Sequence, residues 1–234
     1  MKVAIVITVK NEARLLRQNL LYHLRIGIDM IFVYFDHTTD STPDTIKDIK
    51  QVKTNTSVSP KKYSDKPYLK KFWTNAEEHH TARQCLNTYD ALQQCKQEGF
   101  DWLISLDADE LFVTGMNGKE PLSDFFTTET ANKYDIIQLP TLEVVNRKMA
   151  YANVMAEETL FKKQKNFASK FDQLYRKIYN PYTKKFMTTS YWLGHTMGKA
   201  AINVQSDVIP YNVHRYQLRN GNKPTIKTAG NILH

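Results

Sequence analysis

The chain has 234 residues, of which 41% are hydrophobic, enough to bury one core. Its 11 Phe, 13 Tyr and 3 Trp exclude a disordered polypeptide. The formal charge of +8 is scattered in short clusters such as Lys61-Lys62, Lys70-Lys71, Lys162-Lys163-Gln164-Lys165 and Lys184-Lys185. That distribution fits a solvated basic face better than a nucleic-acid-binding tract, so no nucleic acid is expected as partner. Neither a Pro/Gly-rich linker nor a repeat of about 20 to 50 residues divides the sequence, and a single domain is expected.

Val3 to Val9 (VAIVITV) is a continuous, largely β-branched run, the pattern of a strand buried on both faces of a parallel sheet. A helix is expected next: Asn11 can cap it, Glu12 suits its positive end, Leu16, Leu20 and Tyr22-His23-Leu24 recur near the helical period, and Gly27 ends it. Met30 to Phe35 reads as a second buried strand, and Ser41 or Thr42 ahead of Pro43 predicts a second helix start. A weak strand near Val52 to Val58 leads into a polar, basic loop interrupted by Pro60 and Pro67. Asn75 to Gln97 has the composition of a long helix closed by Gly99, and Trp102 to Leu106 is the next buried strand. Beyond it, Tyr134 to Val145 (YDIIQLPTLEVV) suggests a strand crossing into a more polar region.

Cys85 and Cys95 lie ten apart in the long helix, about 15 Å from each other at 1.5 Å per residue, too far for a disulfide. They read as free thiols of a reducing compartment. The apolar run of the N-terminal MKVAIVITVKNE is too short for a signal segment or a membrane span, so a soluble, cytoplasmic protein is expected.

The alternation predicts an α/β/α sandwich with a mainly parallel central sheet, whose ligands bind outside the carboxyl ends of the strands. Polar clusters stand at three such ends: Lys10-Asn11-Glu12, Asp36, and Asp107 to Glu110. Asp107 and Asp109 alternate, so in extended backbone both carboxylates face one side. Two like charges that close are costly unless a cation lies between them, and hard oxygen ligands suit Mg²⁺ or Mn²⁺, which in turn holds phosphate oxygens. An isolated Asp-x-Asp is commonly a solvated turn, but the strand before this one has Ser105 as its single polar residue. A hydrolase with a strand-end aspartate nucleophile fits less well, because Leu111 follows the acids and a full β-α-β-α-β unit precedes them. His79 and His80 are adjacent and point about 100° apart on a helix, which disfavours a shared metal.

VITVKNEARLLRQNLLYHLRIGIDMIFVYFDHTTDST, then RQCLNTYDAL ahead of DWLISLDADELFV, then GKAAINV followed by VHRY, resemble glycosyltransferases of the GT-A fold, in the family 2 superfamily and closest to its family-92-like branch. The resemblance is strong over residues 3–113, moderate over 195–216 and absent over 114–190. It implies one glycosyltransferase domain, with residues 1–113 binding a nucleotide sugar, uridine-based in this group, and 114–234 forming an acceptor-side half and a C-terminal lid. Lys10, Asn11 and Glu12 would lie against the nucleotide, Asp36 would contact the base or ribose, and Arg83 would reach the base or phosphates. Asp107 and Asp109 would hold Mn²⁺ or Mg²⁺, with Asp109 the direct ligand. Lys199 and His214 would close over the diphosphate, His214 as a third metal or phosphate ligand, and His195 is a weaker match.

Enzymes of this group typically invert, which requires an acceptor-side carboxylate as base. Glu143, Glu157 and Glu158 are in the right part of the chain, and Glu143, after a predicted strand, is preferred. The implied acceptor is a glycan or lipid-linked glycan, which is compatible with peripheral membrane contact. The alternative is a non-enzymatic basic protein binding nucleic acid or anionic glycan, its acids purely structural.

Overall fold

A computed structural model describes residues 1–115, 120–162, 169–171, 173–174, 178 and 197–234. The first half runs β1 (Val3–Val9), α1 (Leu16–Arg25), β2 (Met30–Phe35), β3 (Val52–Thr56), α2 (Lys70–Trp73), α3 (His80–Glu98), β4 (Trp102–Leu106) and β5 (Leu111–Val113). Then follow α4 (Leu122–Phe125), α5 (Thr128–Lys133), β6 (Ile136–Leu139), β7 (Thr141–Val144), α6 (Val154–Glu157) and β8 (Phe161–Lys162). The last described part holds β9 (Lys199–Asn203), β10 (Val208–Asn212), β11 (Arg215–Leu218), β12 (Ile226–Thr228) and β13 (Asn231–Leu233).

Among the described residues, seven strands form the main sheet in the order β12-β6-β9-β4-β1-β2-β3, all running one way except β9, which is antiparallel to both neighbours. Because successive side chains of a strand point to opposite faces, the β-branched runs build two cores at once. Ala4, Val6, Phe32, Tyr34 and Leu103 pack beneath Cys85, Leu86, Tyr89 and Leu92 of α3. Val3, Ile5, Ile7, Ile31, Val33 and Ile104 pack on the other face with Leu16 and Leu20 of α1 and with Phe112, Phe125 and Phe126. The result is a Rossmann-like α/β sandwich with a mainly parallel sheet, as the alternation predicts. Cys85 and Cys95 are free buried thiols, each pushed up to about 12 by burial.

Four local expectations are corrected. Asn11 does not cap α1: it adopts a left-handed φ of 58° and its Oδ1 accepts from the backbone N–H of Thr39 (2.8 Å) and Asp40 (3.2 Å). The helix starts only at Leu16, after a turn in which the N–H groups of Leu15 and Leu16 share the Glu12 carbonyl. Pro43 opens a single 3₁₀ turn, Pro43–Thr45, and the Thr42 hydroxyl turns back to donate to Asp40 (2.5 Å) and accept from the Glu12 N–H (2.8 Å). The segment Tyr134 to Val145 is two strands, because Pro140 separates β6 from β7, which joins another sheet.

The fourth correction concerns the expected lid. Lys199–Asn203 is the fully buried β9, seated between β4 and β6, so residues on both sides of the expected boundary at 113 share one sheet. Gly198 leads into it at φ 59°, with its missing Cβ position only 2.3 Å from the Leu139 carbonyl oxygen. Only glycine lets the chain approach so closely. A smaller sheet, β5-β13-β7-β8, folds the end of the described chain back beside β5. Among the described residues, no helix is long and apolar enough to cross a membrane.

Candidate active site at the carboxyl edge of the sheet

Each cluster expected at a strand end lies at the same edge, because β1, β2 and β4 are parallel neighbours. After β1, Lys10 and Asn11 are exposed and Glu12 is half-buried. Burial, followed by the charges of Asp109, Asp40 and Asp107, raises the Glu12 carboxyl above its ordinary range. The acids of the two loops therefore share one field.

After β2, Asp36 is wholly buried. Its carboxylate takes both Nε (2.6 Å) and Nη2 (3.0 Å) of Arg83, the His80 ring at 2.7 Å and the Ser57 hydroxyl at 3.1 Å. Burial alone would raise this group; the Arg83 and His80 hydrogen bonds outweigh it and hold it down to about 2. Arg83 is fixed further by donating to the Ala76 carbonyl at 2.7 Å. In this arrangement Asp36 orients Arg83 and His80 at the end of β2.

After β4, Asp107 accepts from Gln84 (2.7 Å) and from the Lys199 ammonium (2.5 Å), while its own N–H donates to Glu110 (2.8 Å). The Lys199 side chain is 1% exposed and lies 3.5 Å from Glu110 as well. Burial would lower the Lys199 ammonium, but Glu110 and Asp107 raise it. Burial pushes Glu110 up to about 7, Asp107 adding to the rise and Lys199 opposing it. Lys199 sits under the acid cluster as a fixed charge donated by the interior strand β9.

Asp109 is half exposed, with the His234 ring 3.5 Å away, and the other ring nitrogen of His234 lies 3.4 Å from Glu143. The hydrogen bond to Asp109 raises His234 most, burial opposes it, and Glu143 adds to the rise, which reaches about 9. Asp109, Glu143 and His234 line a cleft of about 610 Å³. Glu157 and Glu158 are committed elsewhere: Lys148 (2.6 Å) and the Asn153 N–H (2.8 Å) hold Glu157, and Arg147 (2.8 Å) and the Tyr151 hydroxyl hold Glu158. His214 donates Nδ1–H to the Gly198 carbonyl at 2.9 Å, leaving Nε2 as its acceptor, and burial followed by Lys199 lowers it.

The three-ligand set of Asp107, Asp109 and His214 does not assemble, since no three His, Cys, Asp or Glu side chains among the described residues converge to hold an ion. Lys199 occupies one oxygen of Asp107, and His214 faces Gly198. Mg²⁺-type ions are held by one or two carboxylates plus substrate phosphates, and half-exposed Asp109 beside Asp107 fits that donor set. His234 was missed by the sequence reading because it becomes a neighbour of Asp109 only through the pairing of β13 with β5 and β7. His195 lies outside the described residues.

No protein-family model matches the chain. Over 136 residues, 57% of this chain, it is 28% identical to a glycosyltransferase-like protein of Arabidopsis thaliana, and it spans 25% of that protein's length. Similar solved structures include 4-diphosphocytidyl-2C-methyl-D-erythritol synthase, at TM-score 0.33 and 10% identity over 70% of this chain and 69% of that one. Another is glucosyl-3-phosphoglycerate synthase from Mycobacterium tuberculosis in complex with Mn²⁺, uridine diphosphate and phosphoglyceric acid, at TM-score 0.36 and 10% identity over 87% and 56%. In sequence, then, this chain is similar to a glycosyltransferase-like protein over little more than half its own length.

Proposed function

We propose that this chain is a glycosyltransferase of the GT-A type, in the family-92-like branch, moving a sugar from a uridine-diphosphate sugar to a hydroxyl acceptor with inversion. The observation that carries this reading is the convergence of Glu12, Asp107, Asp109 and Glu110 over buried Lys199 at one sheet edge, beside a cleft lined by Asp109, Glu143 and His234. The relation to a glycosyltransferase-like sequence supports it.

In this reading Lys10, Asn11 and Glu12 flank the nucleotide, and Arg83, locked by Asp36, faces it from the start of α3. A Mg²⁺ or Mn²⁺ ion arriving with the diphosphate would be held by Asp109 with Asp107 and would supply neutralising charge to the leaving group. Lys199 fixes the Asp107 carboxylate and limits repulsion within the acid cluster. His214, kept neutral by burial, offers Nε2 toward the phosphates. Glu143 takes the acceptor proton, its position set by His234.

A hydrolysis screen across UDP-, GDP-, CDP- and dTDP-sugars tests the reading. Release of UDP from at least one UDP-sugar, lost in Asp109→Ala, is expected. No turnover of any donor, with stabilisation by heparin or nucleic acid in the absence of metal, would instead identify a polyanion-binding protein.

A further inference from the structure

The cleft beside Asp109 differs chemically from the rest of the carboxyl edge. Leu15, Val144, Val154, Met155, Phe161 and Leu233 supply most of its walls, and Asn146 and Thr159 add polar atoms at its border. The Tyr22 hydroxyl is taken by the Phe112 carbonyl, and Asp109, His234 and Glu143 form one connected polar group. Glu158 also borders it, but its carboxylate is taken by Arg147 and Tyr151. Its volume of about 610 Å³ falls within the roughly 300–1,000 Å³ of small-molecule sites. A free oligosaccharide is a poorer match than an amphiphile for such walls, because each hydroxyl turned toward the aliphatic side chains loses its water without gaining a partner, and Asn146 and Thr159 can serve only a few of them. An aliphatic body loses nothing there, and the flexible Met155 thioether adapts to its shape. Leu160, between the lining residues Thr159 and Phe161, is 50% exposed, so apolar surface continues at the rim.

We propose that this cleft is the acceptor subsite and that it takes an amphiphile, a hydroxyl-bearing head on an alkyl or isoprenoid body. This rests on the glycosyltransferase reading. The head sits at the polar group and the body along the walls. The acceptor oxygen bonds to the anomeric carbon as its proton passes to Glu143. The bond from that carbon to the diphosphate oxygen breaks, and its electron pair leaves with the nucleoside diphosphate.

The experiment titrates the protein with n-octyl and methyl β-D-glucoside, below the micelle concentration, by ligand-observed NMR, and with UDP plus Mn²⁺ on the same samples. Octyl glucoside is expected to bind at least about tenfold more tightly than the methyl compound, since apolar surface leaves water. Met155→Glu should remove that preference, Met155→Leu should keep it, and UDP affinity should stay unchanged in both. Equal affinities in the wild type, or a preference that survives Met155→Glu in a protein that still binds UDP, overturns the proposal. Octyl preference with no UDP binding would leave the cleft standing and remove the transferase reading. Flotation with phosphatidylcholine vesicles carrying hexadecyl β-D-glucoside separates the sources: a bilayer-borne amphiphile carries the wild type up but not Met155→Glu, and a soluble one carries neither.

Discussion

Replacing Lys199 by Met tests whether a lysine on the interior strand β9 holds the acid cluster together. The Lys199 side chain is 1% exposed and Glu110 6%, with Asp107 at 2.5 Å and Glu110 at 3.5 Å, so the substitution leaves one buried carboxylate and one half-buried carboxylate without a cation. Breaking a buried pair by removing one partner costs about 3–5 kcal/mol where the surviving group stays charged, so the comparison is made well above pH 7, the value to which burial already pushes Glu110. For a chain of this size that corresponds to a fall in Tm of roughly 6–20 °C, read by circular dichroism or calorimetry. Glu110→Gln should restore most of the loss, since the amide oxygen can still accept from the Asp107 N–H while the charge is gone. A single Lys199→Met variant within about 1 kcal/mol of wild type, or a double variant no better than the single, would refute the reasoning.

Other expectations follow from the same geometry. Arg83→Met strips the bidentate partner from buried Asp36 and should cost about 3 kcal/mol at pH 7. Because Asp36 is held down to about 2, its contribution is present above about pH 4 and lost as pH falls toward 2; the melting temperatures of variant and wild type should converge over that window, and a gap constant with pH would contradict the pairing. Gly198→Ala combines a positive φ with a Cβ 2.3 Å from a backbone oxygen, and urea titration should show a loss of at least about 2 kcal/mol. Glu143→Gln should lower kcat by about 100-fold or more with UDP affinity unchanged; retained turnover would remove Glu143 as the base.

The parallel core was legible because buried strands write themselves as apolar β-branched runs, as in Val3–Val9 and Trp102–Leu106, and because Gly99 supplies the left-handed helix end seen at φ 70°. The strand-end acids were legible for the same reason: a strand with few polar residues forces them to the sheet edge. Partners distant in sequence were not. Asp36 and Arg83 are 47 residues apart, and nothing local distinguishes a carboxylate that binds a ligand from one that anchors an arginine. The lid expected to carry Lys199 is instead a core strand, a placement that the apolar run of Ala200, Ala201 and Ile202 after it signals. His234 gains its place through strand pairing across more than a hundred residues, a relation that periodicity does not encode.

The central claim is that the carboxylates at the end of β4 bind a nucleoside diphosphate together with a divalent ion. Isothermal titration of UDP into the wild type and into Asp109→Ala, each with and without Mn²⁺, tests it most directly. The account predicts UDP binding to the wild type that strengthens with Mn²⁺, and loss of that enhancement in a folded Asp109→Ala protein. Equal UDP affinity in wild type and variant whether or not Mn²⁺ is present would contradict it.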